Sequence, residues 1–321
     1  MSILALLLSA LSQGMIYAPM AMGVFIAFQV LNTPDLTIDG SFVAGMCACA
    51  VVTIAVHPGL ALLCSLLVGA AAGWITGMLQ TKVGINPILS GILTMTGLYT
   101  VNFVLLGGQS NLYLQRMELN SVGAQTQVAS DTVYKSFRTL MINLSGNRRF
   151  DSNLSALILT ALIVAAAAAI LAVFFFTRTG MAIRATGDNE QMVRSSSINA
   201  DRSRILGIMI SNALVAFSGA LLCEQQRYAD LNFGSGMLVV GLASVIIGQV
   251  FFGRRSVTLG IVSAVAGSLV YRIILQVAYK VEMPSYAVKL LSAVIVVVAL
   301  SIPRVKRLIA ERRAEREEDA A

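Results

Sequence analysis

Charge is what this chain has least of. Aspartate, glutamate, lysine and arginine make up 12% of its 321 residues, where a soluble globular domain carries about 25%. The shortage is segregated as well, since 1–34, 41–81 and 83–115 contain no charged side chain. Uncharged apolar stretches of about 18 residues or more are long enough to cross a bilayer. With 57% hydrophobic residues, the composition excludes a soluble enzyme and a disordered protein and leaves an integral membrane protein. Membrane β-strands would read as segments of about 10 residues with polar–apolar alternation, and none is present. The expected fold class is therefore all-α, a polytopic membrane helical bundle.

Histidine and cysteine are scarce too. The single histidine, His57, precedes Pro58-Gly59 and reads as a turn residue at a helix end. The four cysteines, Cys47, Cys49, Cys64 and Cys223, lie in or beside apolar runs and read as small packing residues. That inventory gives no metal site, no disulfide framework and no nucleophile–base pair. No glycine-rich phosphate loop of the Walker type occurs. The expectation is a chain that is not an enzyme, has no catalytic residues and binds no cofactor itself. Asn143-Leu-Ser and Asn153-Leu-Ser match the glycosylation triplet, which carries no meaning in a bacterial protein. The formal net charge of +7 marks cytoplasmic loops in a membrane protein, and nucleic acid is not an expected partner. The apolar start, 1–15, has no basic leader and reads as a retained helix.

What remains is a series of spans, placed at 3–30, 41–56, 58–80, 85–107, 154–177, 204–223, 236–252, 257–279 and 284–303. A broken segment after the first makes the expected count about 8–10. Orientation follows from the tail, where Arg304, Lys306, Arg307, Arg312, Arg313 and Arg316 place the C-terminus in the cytoplasm. Counting back puts 178–203 inside and 108–152 outside. The expected organisation is a transmembrane domain over 1–303, with an external loop at 108–152 and a cytoplasmic loop at 178–203, then a charged cytoplasmic tail at 304–321.

Two polar breaks interrupt the apolar pattern, at 32–41 and 224–235; each contains Asp-Leu and ends in Gly-Ser. Non-helical backbone at membrane depth survives only where protein or a wet cavity surrounds it, and paired breaks point to a translocation path. Pro34 and Gly40 suit a break. Asp35 and Asp39 lie between two apolar runs, with Asp39 placed to cap the next span. Two cations fall inside expected spans, Arg272 and Lys289. Such a residue costs at least about 2.5–3.5 kcal/mol near the centre of a bilayer, so each either lines the outer mouth of the path or snorkels to the headgroups. Gly69, Gly73 and Gly77 form a small-residue face for helix packing, with a partner in this chain or in another copy. Asn102, Ser211, Asn212 and Ser218 read as interhelical hydrogen-bonding residues.

The cytoplasmic segment is the most informative. It runs Thr177-Arg-Thr-Gly180, then Ile183-Arg-Ala-Thr-Gly-Asp-Asn189, then Ser197-Ile-Asn199. This order resembles the cytoplasmic loop in permease subunits of bacterial ABC importers for branched-chain amino acids, ribose-type sugars and related solutes. Gln13-Gly-Met-Ile-Tyr-Ala-Pro-Met-Ala-Met-Gly23, Ser218-Gly-Ala-Leu-Leu222 and Gly241-Leu-Ala-Ser-Val-Ile-Ile-Gly248 extend the resemblance over most of the chain, 108–152 least. The family often has glycine where this chain has Ser197. Pro34-Asp-Leu-Thr-Ile-Asp-Gly-Ser-Phe42 is most similar to the branch of tryptophan/tyrosine-type importers.

The resemblance implies a binding-protein-dependent ABC importer in the bacterial inner membrane, for an amino acid, the aromatic class included, or a related small polar solute. It implies ATP and magnesium on separate ATPase subunits, a periplasmic or lipid-anchored solute-binding protein, and a second permease copy. It assigns coupling to the ATPase to Gly180, Arg184, Ala185, Gly187, Asp188, Asn189, Ile198 and Asn199. In this reading a short helix over 190–196 is capped by Asp188 and flanked by joints at Gly180 and Gly187. The residues alone leave two alternatives, an ion-coupled secondary transporter and a passive channel.

Overall fold

The structure is a computed structural model and describes residues 3–119, 125–145, 152–253 and 256–280, with helical residues 290, 291, 293–295, 297, 298 and 301. In chain order, α1 (Ile3–Phe25) runs into a π-helical turn (Ile26–Val30), followed by α2 (Ile38–Ala55), α3 (Pro58–Thr81) and α4 (Pro87–Leu105). The strands β1 (Asn111–Tyr113), β2 (Gln115–Leu119) and β3 (Gln125–Ala129) precede α5 (Val133–Ser145) and α6 (Ser152–Phe176). Then come α7 (Arg178–Asp188), α8 (Glu190–Ser195), α9 (Ala200–Gln226), β4 (Tyr228–Asp230), a 3₁₀ turn (Leu231–Gly234), α10 (Met237–Phe252) and α11 (Val257–Lys280). Among the described residues eight helices are long and apolar enough to cross a membrane, so the protein is a multi-pass helical membrane protein. They correspond to the first eight expected spans. The ninth, 284–303, falls largely outside the described residues, as does the tail at 304–321.

Helix ends follow local chemistry. His57 and Asn86 cap α3 and α4, each followed by proline at the first helical position, where its missing N–H costs nothing. Thr177, Asn189 and Asn199 cap α7, α8 and α9 through side-chain oxygens.

The centre of the bundle is α9, against which α1, α2 and α3 pack. Glycine makes the approach possible. A Cβ on Gly69 would stand 2.4 Å from the Asn212 carbonyl, and one on Gly73 2.5 Å from that of Ile208. The glycine face of α3 thus packs on α9 of the same chain. Serine hydroxyls fasten α1 to α9 and to α11: Ser211 and Ser218 of α9 donate to the Gly23 and Ile16 carbonyls, and Ser268 of α11 to that of Gly14, at 2.7–2.9 Å. Away from this core, α3, α4 and α6 expose apolar side chains such as Leu67, Val104, Ile170 and Phe176, as expected of helix faces turned to lipid.

The two ends of the bundle differ. One carries α7 and α8. At the other, β1 pairs antiparallel with β4 and β2 with β3, so the expected loop at 108–152 holds one strand pair, a strand that pairs with β4 outside the loop, and a helix, on an otherwise all-α frame.

Candidate functional site

The chain breaks between α1 and α2. After the π-helical turn, Asn32 adopts a positive φ of 52°, a conformation asparagine tolerates better than most residues. Helix does not resume until Ile38. Leu31, Thr33, Asp35 and Thr37 are buried in this interval, whereas Pro34 is exposed. The Asp35 carboxylate is fully enclosed. One oxygen accepts from the Thr37 N–H at 2.8 Å and the other from Asn212 Nδ2 at 2.7 Å. Asn212 Oδ1 accepts from Ser41 Oγ at 2.7 Å, and the hydroxyls of Thr37 and Thr76 meet at 2.8 Å. Asn212 lies near the middle of α9, so this node sits well inside the bundle. The non-helical interval is 31–37, so of the break expected at 34–41 only 34–37 is irregular, and 38–41 form the first turn of α2.

The second break meets the first. Beyond β4, the chain passes through its 3₁₀ turn and enters α10 next to α2. Asp39 lies in the first turn of α2, yet its carboxylate accepts from the Gly236 N–H at 3.2 Å and the Leu238 N–H at 2.7 Å. It caps α10, not α2 as the sequence suggests; the N-cap of α2 is Thr37, without a side-chain bond. An aspartate at the start of one helix also favours the positive end of a neighbour, and no local pattern reports that partner. Gly40 packs against Met95 of α4, and its carbonyl accepts from Asn102 Nδ2 at 3.4 Å.

Arg272 of α11 lines a cavity of about 570 Å³ between α1, α10, α11 and the 3₁₀ turn. Its guanidinium carbon stands 3.5 Å from the centroid of the Tyr17 ring, a cation–π contact worth about 0.5–2 kcal/mol. Among the described residues its Nε is buried without a hydrogen-bond partner and the side chain makes no ion pair. Lys289 lies outside the described residues.

At the other end, α7 and α8 form an angled pair. Residues 178–188 are helical where the sequence suggests turns. Gly180 packs on the backbone of Phe174 and Phe175, and Gly187 on the carbonyl of Val30. Both lie inside α7, where the absence of Cβ permits close packing, so they are contact points and not joints. Asn189, not Asp188, caps α8, with Oδ1 accepting from the Met192 N–H at 3.0 Å. Arg184 is half-buried and, with Asp188 and Gln29, lines a cavity of about 300 Å³. Ala185 is half-buried; Asp188, Asn189, Ile198 and Asn199 are exposed. Glu190 bonds Arg194 and Arg204, and Arg194 also bonds Asp201, stapling α8 to the start of α9. Met181, Met192 and Ile198 are exposed at this end.

Sequence reasoning passed over Tyr17, Asp230 and Glu224 as site residues. Glu224 is buried at the far end of α9, accepting from Thr53 Oγ1 at 2.6 Å and the Val133 N–H at 2.9 Å. A carboxylate closing an otherwise apolar run was the available signal. Among the described residues no group of three or more His, Cys, Asp or Glu side chains could hold a metal ion.

The chain is 32% identical to the tyrosine transport system permease protein of Clostridioides difficile, over 92% of this chain and 90% of that one. It is 28% identical to an uncharacterized protein of Rickettsia prowazekii over 92% and 97% of the two chains. It is 25% identical to the autoinducer 2 import system permease protein of Yersinia enterocolitica, over 70% of this chain and 56% of that one. No solved structure matches it. The model of the family described as branched-chain amino acid transport system / permease component matches residues 6–300. The chain belongs to that family, the permease components of ABC-type transport systems.

Proposed function

We propose that the chain is the membrane-spanning subunit of an ATP-driven, binding-protein-dependent importer in a bacterial inner membrane, working as a pair of copies. In this reading the α7–α8 end and the C-terminus face the cytoplasm. Separate ATPase subunits, which carry the ATP and magnesium, dock at α7–α8. A periplasmic or lipid-anchored solute-binding protein delivers solute at the opposite end. The solute is an amino acid, with the aromatic class supported by the relative named for tyrosine.

The observation that carries the reading is the α7–α8 element. It is capped at each helix start, stapled to α9 by ion pairs, exposed on its outer surface, and pressed by Gly187 against the last turn before the break at 31–37. A push on α8 therefore reaches Val30 through Gly187 of α7. From there the path runs through the break, Asp39 and the first turn of α10. ATP-driven closure of the ATPase pair would move these two discontinuities together. The secondary-transporter alternative needs an accessible intramembrane carboxylate. Asp35 has both oxygens bonded and no exposure, which favours an anchoring role.

Gly187→Val and Arg184→Glu test the reading. Both variants are expected to insert into the membrane, Gly187→Val with a lowered melting temperature because its Cβ meets the Val30 carbonyl. Gly187→Val places a branched side chain against the Val30 carbonyl and is expected to abolish solute-stimulated ATP hydrolysis. Arg184→Glu is expected to reduce ATPase co-purification in detergent. Normal transport with the ATPase retained in both variants would make the segment a connecting loop only.

A further inference from the structure

We infer that the cavity at Arg272 is a solute site for a zwitterion with an aromatic or large apolar side chain. The α-carboxylate would sit on Arg272 and the α-ammonium on Asp230. This rests on the importer reading and adds the chemistry the path selects.

Four features of the cavity support the assignment. The first is an unsatisfied cation. Arg272 has a buried Nε with no acceptor, no carboxylate partner among the described residues, and one guanidinium face held on Tyr17 at 3.5 Å. A guanidinium presents a planar fork of donors that matches a carboxylate with two parallel bonds. The Tyr17 contact fixes the plane and leaves the in-plane donors free. The second is an acid on the same wall. Asp230 turns one carboxylate oxygen to the Asn232 N–H at 2.7 Å and the Asn232 side-chain amide at 3.0 Å. Its other oxygen has no partner among the described residues and can accept an ammonium.

The third is the rest of the lining. Tyr17, Phe233, Tyr271 and Tyr279 line the cavity, in a chain only 7% aromatic. Two of these rings are backed by others, Phe233 meeting Tyr228 at 5.8 Å and Tyr17 stacking with Phe42 at 6.0 Å. An apolar wall with two opposed charges suits a side chain of some size rather than a sugar, whose hydroxyls would need polar partners all round. The fourth is position. Ser235, Gly236 and Met237, at the start of α10, form part of the wall. Asp39 holds that helix start to the break after α1, so an occupant touches the segment that the α7–α8 push would move.

The test is binding of tritiated L-tyrosine to the full chain with its ATPase in phosphatidylcholine nanodiscs, which carry no anionic or primary-amine headgroup. L-Phenylalanine, tyramine and 3-(4-hydroxyphenyl)propionate serve as competitors. L-Phenylalanine is expected to compete with L-tyrosine. Tyramine, lacking the carboxylate, and the propionate, lacking the ammonium, are each expected to compete at least tenfold more weakly. Arg272→Gln is expected to weaken L-tyrosine binding tenfold or more while leaving tyramine competition unchanged. Arg272→Lys keeps the charge and is expected to retain part of the affinity. Asp230→Asn is expected to remove the preference for L-tyrosine over the propionate. Equal L-tyrosine binding by wild type and Arg272→Gln would overturn the inference. So would wild-type binding that is absent, or that appears only when an anionic or amine lipid is supplied. If the ATPase co-purifies and hydrolysis is coupled while these binding results fail, the cavity assignment falls and the importer reading stands. If the ATPase does not associate at all, the importer reading falls on its own.

Discussion

Asn212 joins α9 to the first break and to the start of α2 beyond it, donating to Asp35 and accepting from Ser41. Asn212→Ala leaves a buried carboxylate oxygen and a buried hydroxyl without partners, at a cost of about 1–3 kcal/mol. Thermal unfolding in detergent is expected to show a clear loss, and an unchanged midpoint would mean the node is not structural. The glycines make a paired test. At Gly73 a methyl group would stand 2.5 Å from the Ile208 carbonyl, whereas at Gly97 nothing lies within 4 Å. Gly73→Ala is expected to lose about 1–3 kcal/mol through overpacking of α3 on α9, and Gly97→Ala to lose nothing, by the same melt. The sequence makes Asp35, Asn212 and the glycine face visible as unusual residues for a span. It does not say that Asn212 bonds Asp35, because the two lie far apart in the chain and only the bundle brings them together.

The elements were legible where hydropathy carries the signal and illegible where tertiary partners do. Eight apolar runs match eight helices because a span must satisfy its own backbone hydrogen bonds, a local rule. Caps across helices follow no local rule, so Asp39 pointing at α10 and Glu224 at the start of α5 were out of reach. Nor was the interior role of Gly187 readable, since glycine next to an Asp-Asn pair looks like a joint until the Val30 carbonyl is seen against it. If Asp39 closes α10, then Asp39→Ala exposes its first amides within the bundle and costs about 0.5–2 kcal/mol. Asp39→Asn, which keeps an acceptor, is expected to lose less. Equal melting of the two variants would show that the cap contributes little.

At the scale of the whole molecule, a central α9 ties together two discontinuous segments that meet at Asp39. An exposed helix pair at one end touches the first of them through Gly187, and a cavity lined by Arg272, a cation without an ion pair among the described residues, opens beside the second. As proposed, the chain supplies a path and a mechanical input and draws its energy from another subunit. The most direct measurement is uptake of radiolabelled L-tyrosine, with other amino acids run in parallel, into proteoliposomes. These hold the chain with its ATPase, and the solute-binding protein is added outside. Uptake is expected only with ATP present on the ATPase side, to be lost when the ATPase Walker lysine is replaced, and to be insensitive to collapse of proton and sodium gradients. Accumulation driven by an ion gradient by the purified chain alone, with no ATP and no ATPase, would contradict the account.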